Sequence, residues 1–108
     1  MASSLMDSRE RAFEAYFVHQ EDLAFSTSTL RNRLMAMWAG ERMGLSGGAL
    51  EAYAKDVVCQ SLSPRSALDP AERICRDLMA KGVALDLIAV REKLSELGHE
   101  AGRHLAAA

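Results

Sequence analysis

The sequence has little proline and no long apolar stretch. Its two prolines, Pro64 and Pro70, lie in one short region, so the rest of the chain is free of residues that break helices. No apolar run approaches the roughly 20 residues that a helix needs to cross a bilayer. The first residues lack both the basic region and the apolar stretch of a signal peptide. We therefore expect a cytoplasmic protein.

The chain also lacks a strong charge of one sign and a cysteine motif. The formal net charge is −2, and basic residues alternate with acidic ones, which argues against a nucleic-acid-binding surface. Cys59 and Cys75 form no CxxC motif and have no histidine at metal-ligand spacing. We expect both to be free, buried thiols in a reducing compartment. A functional disulfide or a metal site is the alternative.

A catalytic arrangement is missing as well. The glycine-rich stretch 44–48 is not followed by lysine and does not follow a strand pattern, so it is not a phosphate-binding loop, and we expect a turn between helices. His19, His99 and His104 share no metal-ligand spacing. Neither cysteine has a histidine near it in sequence, although folding can bring one close. We predict no catalytic residue, no metal site and no enzymatic activity.

What the chain does contain favours helix. Its 108 residues suit a single domain over residues 1–108, and Ala, Leu, Met, Glu and Arg, which are good helix formers, dominate. Four amphipathic segments follow one another with short connections. We therefore predict an all-α fold, a small four-helix bundle with a long N-terminal helix over about residues 7–43.

Polar residues and glycines mark the predicted helix ends. Residues that commonly cap helix starts are Asp7, Ser46 and Asp69, and the fourth helix is expected to start at Asp86. The signal at Asp69 is the clearest, because Pro70 and Glu72 follow it at positions that helices favour. Asp7 has a glutamate three residues later and fits a capping box. Gly44 and Gly82 are expected to end the first and third helices.

Two stretches predict local weakness. Residues 26–29 are four Ser and Thr residues in a row, which are poor helix formers, so we expect the first helix to be soft or kinked there. Gly98 and Gly102 predict that the tail to Ala108 frays.

The apolar spacing predicts which helix faces form the core. On the first helix the expected apolar stripe is Leu30, Leu34, Met37 and Trp38, and on the fourth it is Val83, Leu87, Val90, Leu94 and Leu97. We expect Trp38 to pack in the core. The alternative is that its ring is a platform on which a base stacks.

A cluster of aromatic residues near the chain start is the strongest candidate for a function. On a helix, Phe13, Tyr16 and Phe17 form one face, either packed on the bundle as core or exposed as an anchor for a partner groove. His19 is close by, as a solvated side chain or as a pH switch. The candidate partner-binding residues are Asp7, Arg9, Glu10, Arg11, Phe13, Glu14, Tyr16, Phe17 and His19.

These residues belong to a longer pattern. It comprises the run Asp-Ser-Arg-Glu-Arg-Ala-Phe-Glu-Ala at 7–15, then Phe17 and His19, Arg-Asn-Arg-Leu at 31–34, Trp38-Ala39, Gly44-Leu45, Ala-Tyr-Ala-Lys-Asp-Val-Val at 52–58, Asp77-Leu78 and Ala-Lys-Gly-Val at 80–83. The pattern covers nearly the whole chain. It resembles the zeta subunit family, the ATPase inhibitors of the F-type ATP synthase of alphaproteobacteria. The chain departs from typical members at Tyr16, where they carry lysine, and at residues 26–29, where they carry a charged, alanine-rich stretch.

The resemblance implies a regulatory protein with two parts. Residues 1–20 would be the inhibitory segment and residues 21–108 the helical bundle. Members bind the catalytic head and insert the segment between an alpha and a beta subunit, near gamma, which blocks rotation driven by hydrolysis, whereas rotation driven by synthesis expels it. The protein would then be peripheral to the inner membrane through the synthase. No cofactor is implied beyond weak ATP or ADP binding by some members. The alternative is a non-inhibitory, adenine-nucleotide-binding helical sensor or adaptor.

Overall fold

The protein folds into four α-helices joined by short connections. The structure, a computed structural model, describes the backbone of residues 2–65 and 68–107 and the side chains of residues 22–65 and 68–107. The helices are α1 (Ala2–Arg42), α2 (Gly47–Ser61), α3 (Pro70–Ala80) and α4 (Leu87–Ala107), and this part of the chain contains no strand. The predicted all-α, four-helix bundle is confirmed. No helix in the described ranges is both long and apolar enough to span a membrane.

Glycines end α1 and α3, as predicted. Gly44 has φ 86° and Gly82 has φ 77°, a left-handed backbone that glycine adopts without strain. The amide of Leu45 donates to the carbonyl oxygen of Gly40 (2.8 Å), and the amide that follows Gly82 donates to Leu78 (2.9 Å). In both hydrogen bonds the amide donates to the carbonyl oxygen five residues earlier in the chain. They satisfy carbonyl groups that would otherwise be unpaired at the helix ends.

Side-chain caps start α3 and α4 but not α2. Asp69 accepts a hydrogen bond from the amide of Glu72 (2.8 Å), and Asp86 accepts one from the amide of Ala89 (2.8 Å). Ser46 is the N-cap residue of α2 with an extended backbone, but its side chain makes no capping hydrogen bond. The predicted start is therefore right for α2, whereas the predicted capping role of the Ser46 hydroxyl is wrong.

The start of α1 differs from the prediction. The helix begins at Ala2, so Asp7 and Glu10 fall inside it and the predicted capping box is wrong. No proline or glycine precedes Asp7 to stop the helix from extending towards the chain start. The predicted weak stretch 26–29 does not interrupt α1, and Oγ1 of Thr27 donates to the carbonyl oxygen of Leu23 within the helix (2.8 Å).

All four helices contribute to one core. Helix α1 packs against α2 and α4, and α3 packs against α4 and α1. The predicted seam of α4 is confirmed, since Val90 and Leu97 are buried and Leu87 and Leu94 pack against the core. The buried apolar residues are Met35, Ala36, Ala39, Leu50, Ala54, Val57, Ala71, Ile74, Cys75, Leu78, Val90, Leu97 and Ala101.

The buried face of α1 is wider than the predicted stripe. Leu34, Met37 and Trp38 are half-buried and pack against the core, as predicted. The fully buried residues of α1, which the stripe did not include, are Asn32, Met35, Ala36, Ala39 and Gly40. The reason is that α1 has neighbours on both sides. Small residues face the closest approach, and a Cβ atom on Gly40 would clash with the side chain of Leu50 on α2. The larger apolar side chains cover the flanks of this contact.

The glycines of α4 pack against α1 instead of fraying the tail. A Cβ atom on Gly98 would lie 3.1 Å from Cδ of Arg31, and one on Gly102 would lie 3.9 Å from Cγ2 of Thr27. Helix α4 continues to Ala107. The prediction of a frayed tail is wrong, because the side of α4 that carries these glycines lies close to α1.

Candidate functional site

The predicted partner-binding segment lies in the first half of α1. All nine residues are within the helical range Ala2–Arg42 and precede the first described side chain, Asp22. Their side chains are outside the described residues, so the aromatic face and the setting of His19 stay predictions. These residues are Asp7, Arg9, Glu10, Arg11, Phe13, Glu14, Tyr16, Phe17 and His19.

The described residues show where the bundle ends along α1. Helix α4 runs antiparallel to α1 and brings Gly102 beside Thr27. Ala107, the last described residue of α4, is five residues further on and lies level with Asp22. In the part of α1 with described side chains, residues 22–31 are exposed or half-buried, and Asn32 is the first buried residue. The side chains of α1 thus leave the core before the helix reaches the predicted segment.

An apolar groove lies between α1 and α2 at this end of the bundle. Its volume is about 620 Å³, and it is lined by Phe25, Ser26, Thr29, Leu30 and Arg33 of α1 and by Glu51, Ala52, Lys55, Val58 and Cys59 of α2. Phe25 is 58% exposed, which is unusual for a large aromatic side chain. Sequence reasoning missed this groove, although a lone phenylalanine next to four Ser and Thr residues was a signal.

Charged and polar groups surround the groove. Arg33 and Glu51 form an exposed ion pair across it, with 2.9 Å between Nη2 and Oε2. Lys55 is exposed, and within the described ranges no carboxylate lies within ion-pair distance of it. Thr29 Oγ1 is buried and has no hydrogen-bond partner in the same part of the chain. The groove therefore combines an apolar surface with one cation and one hydroxyl that are not engaged.

A polar cluster connects α2 to α3. The hydroxyl of Tyr53 donates to Asp77 (2.8 Å), and Nε of Arg73 donates to the same carboxylate oxygen (3.2 Å). Arg73 also donates to Asp56 (2.6 Å) and to Gln60 (2.5 Å). This arrangement satisfies the guanidinium on three sides, so Arg73 holds the two helices together.

The two hydrogen-bond donors of the cluster, Tyr53 and Arg73, do not change their protonation state near neutral pH. Burial raises the pKa of Tyr53, and the hydrogen bond to Asp77 raises it further. Burial by itself would lower the pKa of Arg73, but hydrogen bonds to Asp56 and Asp77 outweigh it and raise the pKa. Both donors keep their protons, so the cluster is a structural connection and not an acid–base pair.

The raised pKa of Tyr53 predicts a stability change at alkaline pH. A group with a higher pKa in the folded state stabilises the fold below its unfolded pKa, about 10 for tyrosine, and this contribution is lost as the pH rises towards the folded value. We expect the free energy of unfolding to fall between about pH 10 and 11 and the Tyr53→Phe variant to fall less steeply. Urea unfolding at several pH values measures this slope. Equal slopes in both proteins would contradict the assignment.

Trp38 and the cysteines complete the candidate residues. Trp38 packs against the core, as predicted, and Arg42 lies 4.3 Å and Lys93 5.6 Å from the centre of its ring.

Cys75 is buried and Cys59 is exposed, so the prediction of two buried thiols is wrong for Cys59. The reason is that position 59 lies on the groove side of α2 and not on its core side.

The fold and these surfaces define a small helical protein whose most distinctive features are surfaces for contact. The residues that the structure describes contain no group of three or more side chains able to hold a metal ion. The class of protein that the structure defines is a small all-α bundle with an apolar groove open on its surface.

The comparison with known families assigns the chain within this class. It belongs to the ATPase inhibitor subunit zeta family, whose model matches residues 2–104. The resemblance found in the sequence is thus confirmed, and the family is one of regulatory subunits by its name. Neither the curated proteins nor the solved structures contain a match to the chain.

Proposed function

We propose that this protein binds the catalytic head of the F-type ATP synthase and inhibits ATP hydrolysis by inserting its N-terminal segment at an alpha/beta catalytic interface. In this proposal residues 1–20 form the inhibitory segment and residues 21–108 the bundle that carries it. The observation that supports it most strongly is the family match, which spans residues 2–104 and so includes the segment.

The proposed mechanism is steric. A helix held between an alpha and a beta subunit, close to gamma, keeps that interface from changing shape, and hydrolysis then cannot turn the rotor. Rotation in the direction of synthesis opens the interface from the other side and expels the helix. The protein is then located at the inner membrane only through its contact with the synthase.

The exposure of the adjoining part of α1 supports a segment available for a partner. Residues 22–31 are exposed or half-buried, and the proposed segment precedes them in the sequence. The helical range of α1 nevertheless begins at Ala2. A helix that extends from turns already formed needs no new nucleus, which lowers the cost of ordering the segment on binding.

The aromatic residues are the main source of binding free energy in this mode. A helix over residues 7–20 is about 21 Å long at 1.5 Å per residue, and one of this length is only marginally stable alone. Fully burying Phe13, Tyr16 and Phe17 contributes about 4–9 kcal/mol in total. Ordering a flexible segment costs about 2–5 kcal/mol. Binding is therefore favourable only when the aromatic side chains are buried in the partner.

We expect Phe17→Ala to weaken inhibition more than Glu14→Ala does. Loss of a buried aromatic anchor removes about 2 kcal/mol or more, which raises the half-inhibitory concentration at least about tenfold, whereas an exposed charge contributes below about 1 kcal/mol. ATP hydrolysis by the cognate synthase head, titrated with each variant, measures both effects. The opposite ranking would show that docking depends mainly on charge.

A further inference from the structure

We propose that the α1–α2 groove is a second docking surface for the synthase head, and that it takes an amphipathic helix presenting an apolar side chain and a carboxylate. This inference rests on the proposed function, because it assigns a further contact to the same partner. The inhibitory segment would block the motor, and the groove would hold the bundle in place beside it.

The apolar surface of the groove fits a helix. Phe25 and Leu30 on α1 face Ala52 and Val58 on α2 across a volume of about 620 Å³. Among the described residues, the lining comes from these two helices, which run side by side as the partners of a third helix do in a bundle. Burying the exposed part of Phe25 supplies the kind of aromatic anchor that dominates protein interfaces.

The charge at the groove selects an acidic partner. Arg33 is already paired with Glu51, so these two charges offset each other. Lys55 is one helical turn beyond Glu51 and has no carboxylate within ion-pair distance among residues 22–65 and 68–107. The groove therefore presents one net positive charge next to its apolar surface. A partner helix with a carboxylate beside its apolar side chain complements both features.

The position of the groove connects it to the proposed inhibitory segment. Phe25 is on α1 itself, three residues from the level at which α4 ends. A partner that holds residues 7–20 of α1 therefore reaches the groove without crossing another helix of the described bundle. Helix α1 would contact the head through its first half and would form one side of the groove with its second half.

The hydroxyl of Thr29 supports a partner at this place. Thr29 lines the groove, and its Oγ1 is buried without a hydrogen-bond partner in the described ranges. Such groups are rare in folded proteins, and leaving one unpaired costs free energy. Rotation about χ1 to another staggered rotamer would turn the hydroxyl towards a polar group of the bound helix.

The native cysteines allow a direct test of contact. Cys59 is exposed in the groove and Cys75 is buried, so a maleimide that carries a benzophenone labels Cys59 selectively. Irradiation in the presence of the cognate synthase head should cross-link this probe to an alpha or beta subunit. The control is a Cys59→Ser, Ser95→Cys chain, which carries the same probe at an exposed position of α4 away from the groove. The control should give at most about a tenth of that cross-link.

Substitutions in the groove test its contribution to affinity. We expect Phe25→Ser and Lys55→Glu each to raise the half-inhibitory concentration about tenfold, with maximal inhibition at saturation unchanged because the inhibitory segment is intact. The matched controls are Ile88→Ser, at an apolar residue that is 69% exposed on α4, and Lys81→Glu, at an exposed lysine outside the groove. Both controls should inhibit as the unmodified chain does.

The outcomes separate the groove from the inhibitory segment. A Phe17→Ala chain should still cross-link through Cys59 once its concentration is raised to compensate for its weaker binding. Groove variants that match their controls, or a probe that reacts equally at residues 59 and 95, would overturn the groove proposal and leave the proposed function standing. Cross-linking to a second copy of the chain would also overturn it. An unmodified chain that neither binds nor inhibits the head would overturn both.

Discussion

A chain that lacks residues 1–20 is expected to lose its inhibition of the cognate synthase head and to keep a folded bundle. The loss should be complete, because the aromatic side chains that supply the proposed binding free energy are removed together with the helix that blocks the interface. The bundle should remain because its core cluster, with the residues packed against it, extends from Leu34 to Leu97. An ATP hydrolysis assay measures the first effect, and thermal unfolding followed by circular dichroism measures the second.

The truncation distinguishes two explanations of how the family inhibits. If the truncated chain unfolds at nearly the same temperature and no longer inhibits, the segment is the inhibitory element. If it inhibits as strongly as the full chain, the bundle itself blocks the motor, and the assignment of residues 1–20 is wrong.

The second large effect concerns the core. We expect Ile74→Ala to lower the free energy of unfolding by about 2–5 kcal/mol, because Ile74 is fully buried and the substitution leaves a cavity among its neighbours. Domains of this size are stable by only about 5–15 kcal/mol, so the variant should be close to unfolding at physiological temperature. Urea unfolding measures the change.

The chain contains a matched control for this substitution. Ile88 is 69% exposed at the start of α4, so Ile88→Ala removes the same atoms from a site with little packing. We expect a change within about 0.5 kcal/mol there. Similar losses at both positions would mean that Ile74 is not in the core that we describe.

Local signals in the sequence predicted the helix ends well. Asp69 accepts the predicted capping hydrogen bond, and α4 starts directly after Asp86, which also accepts one. Gly44 and Gly82 end α1 and α3 as predicted, each with a left-handed backbone. Each of these features depends on a few neighbouring residues, so its physical cause can be read from the sequence alone. Asp7 shows the limit of this reasoning, because a good capping residue does not start a helix when nothing stops the helix before it.

Features that depend on how helices meet were not predictable in the same way. The sequence predicted that Gly98 weakens α4. In the structure its lack of a side chain allows the side chain of Arg31 on α1 to pack close to the backbone of α4. The predicted stripe of α1 packs against the core but is half-buried, whereas the fully buried Met35, Ala36 and Ala39 were not predicted. In each case the neighbouring helix decides the role of the residue.

The candidate sites also differ in whether they depend on one helix or on the packing of two. The predicted segment depends on the sequence of one helix, and the family match includes it. The groove and the Arg73 cluster each need two helices in a particular register, and their residues are distant in sequence, as Phe25 and Val58 are. A single sequence contains no information on that register until the helices are packed.

The most direct test of the proposed function is an ATP hydrolysis assay of the purified cognate synthase head with added full-length protein. We expect hydrolysis to decrease with added protein and to reach a plateau near one chain per head, while ATP synthesis by the intact enzyme continues. Hydrolysis that stays unchanged at a large excess of folded protein would contradict the proposed inhibition.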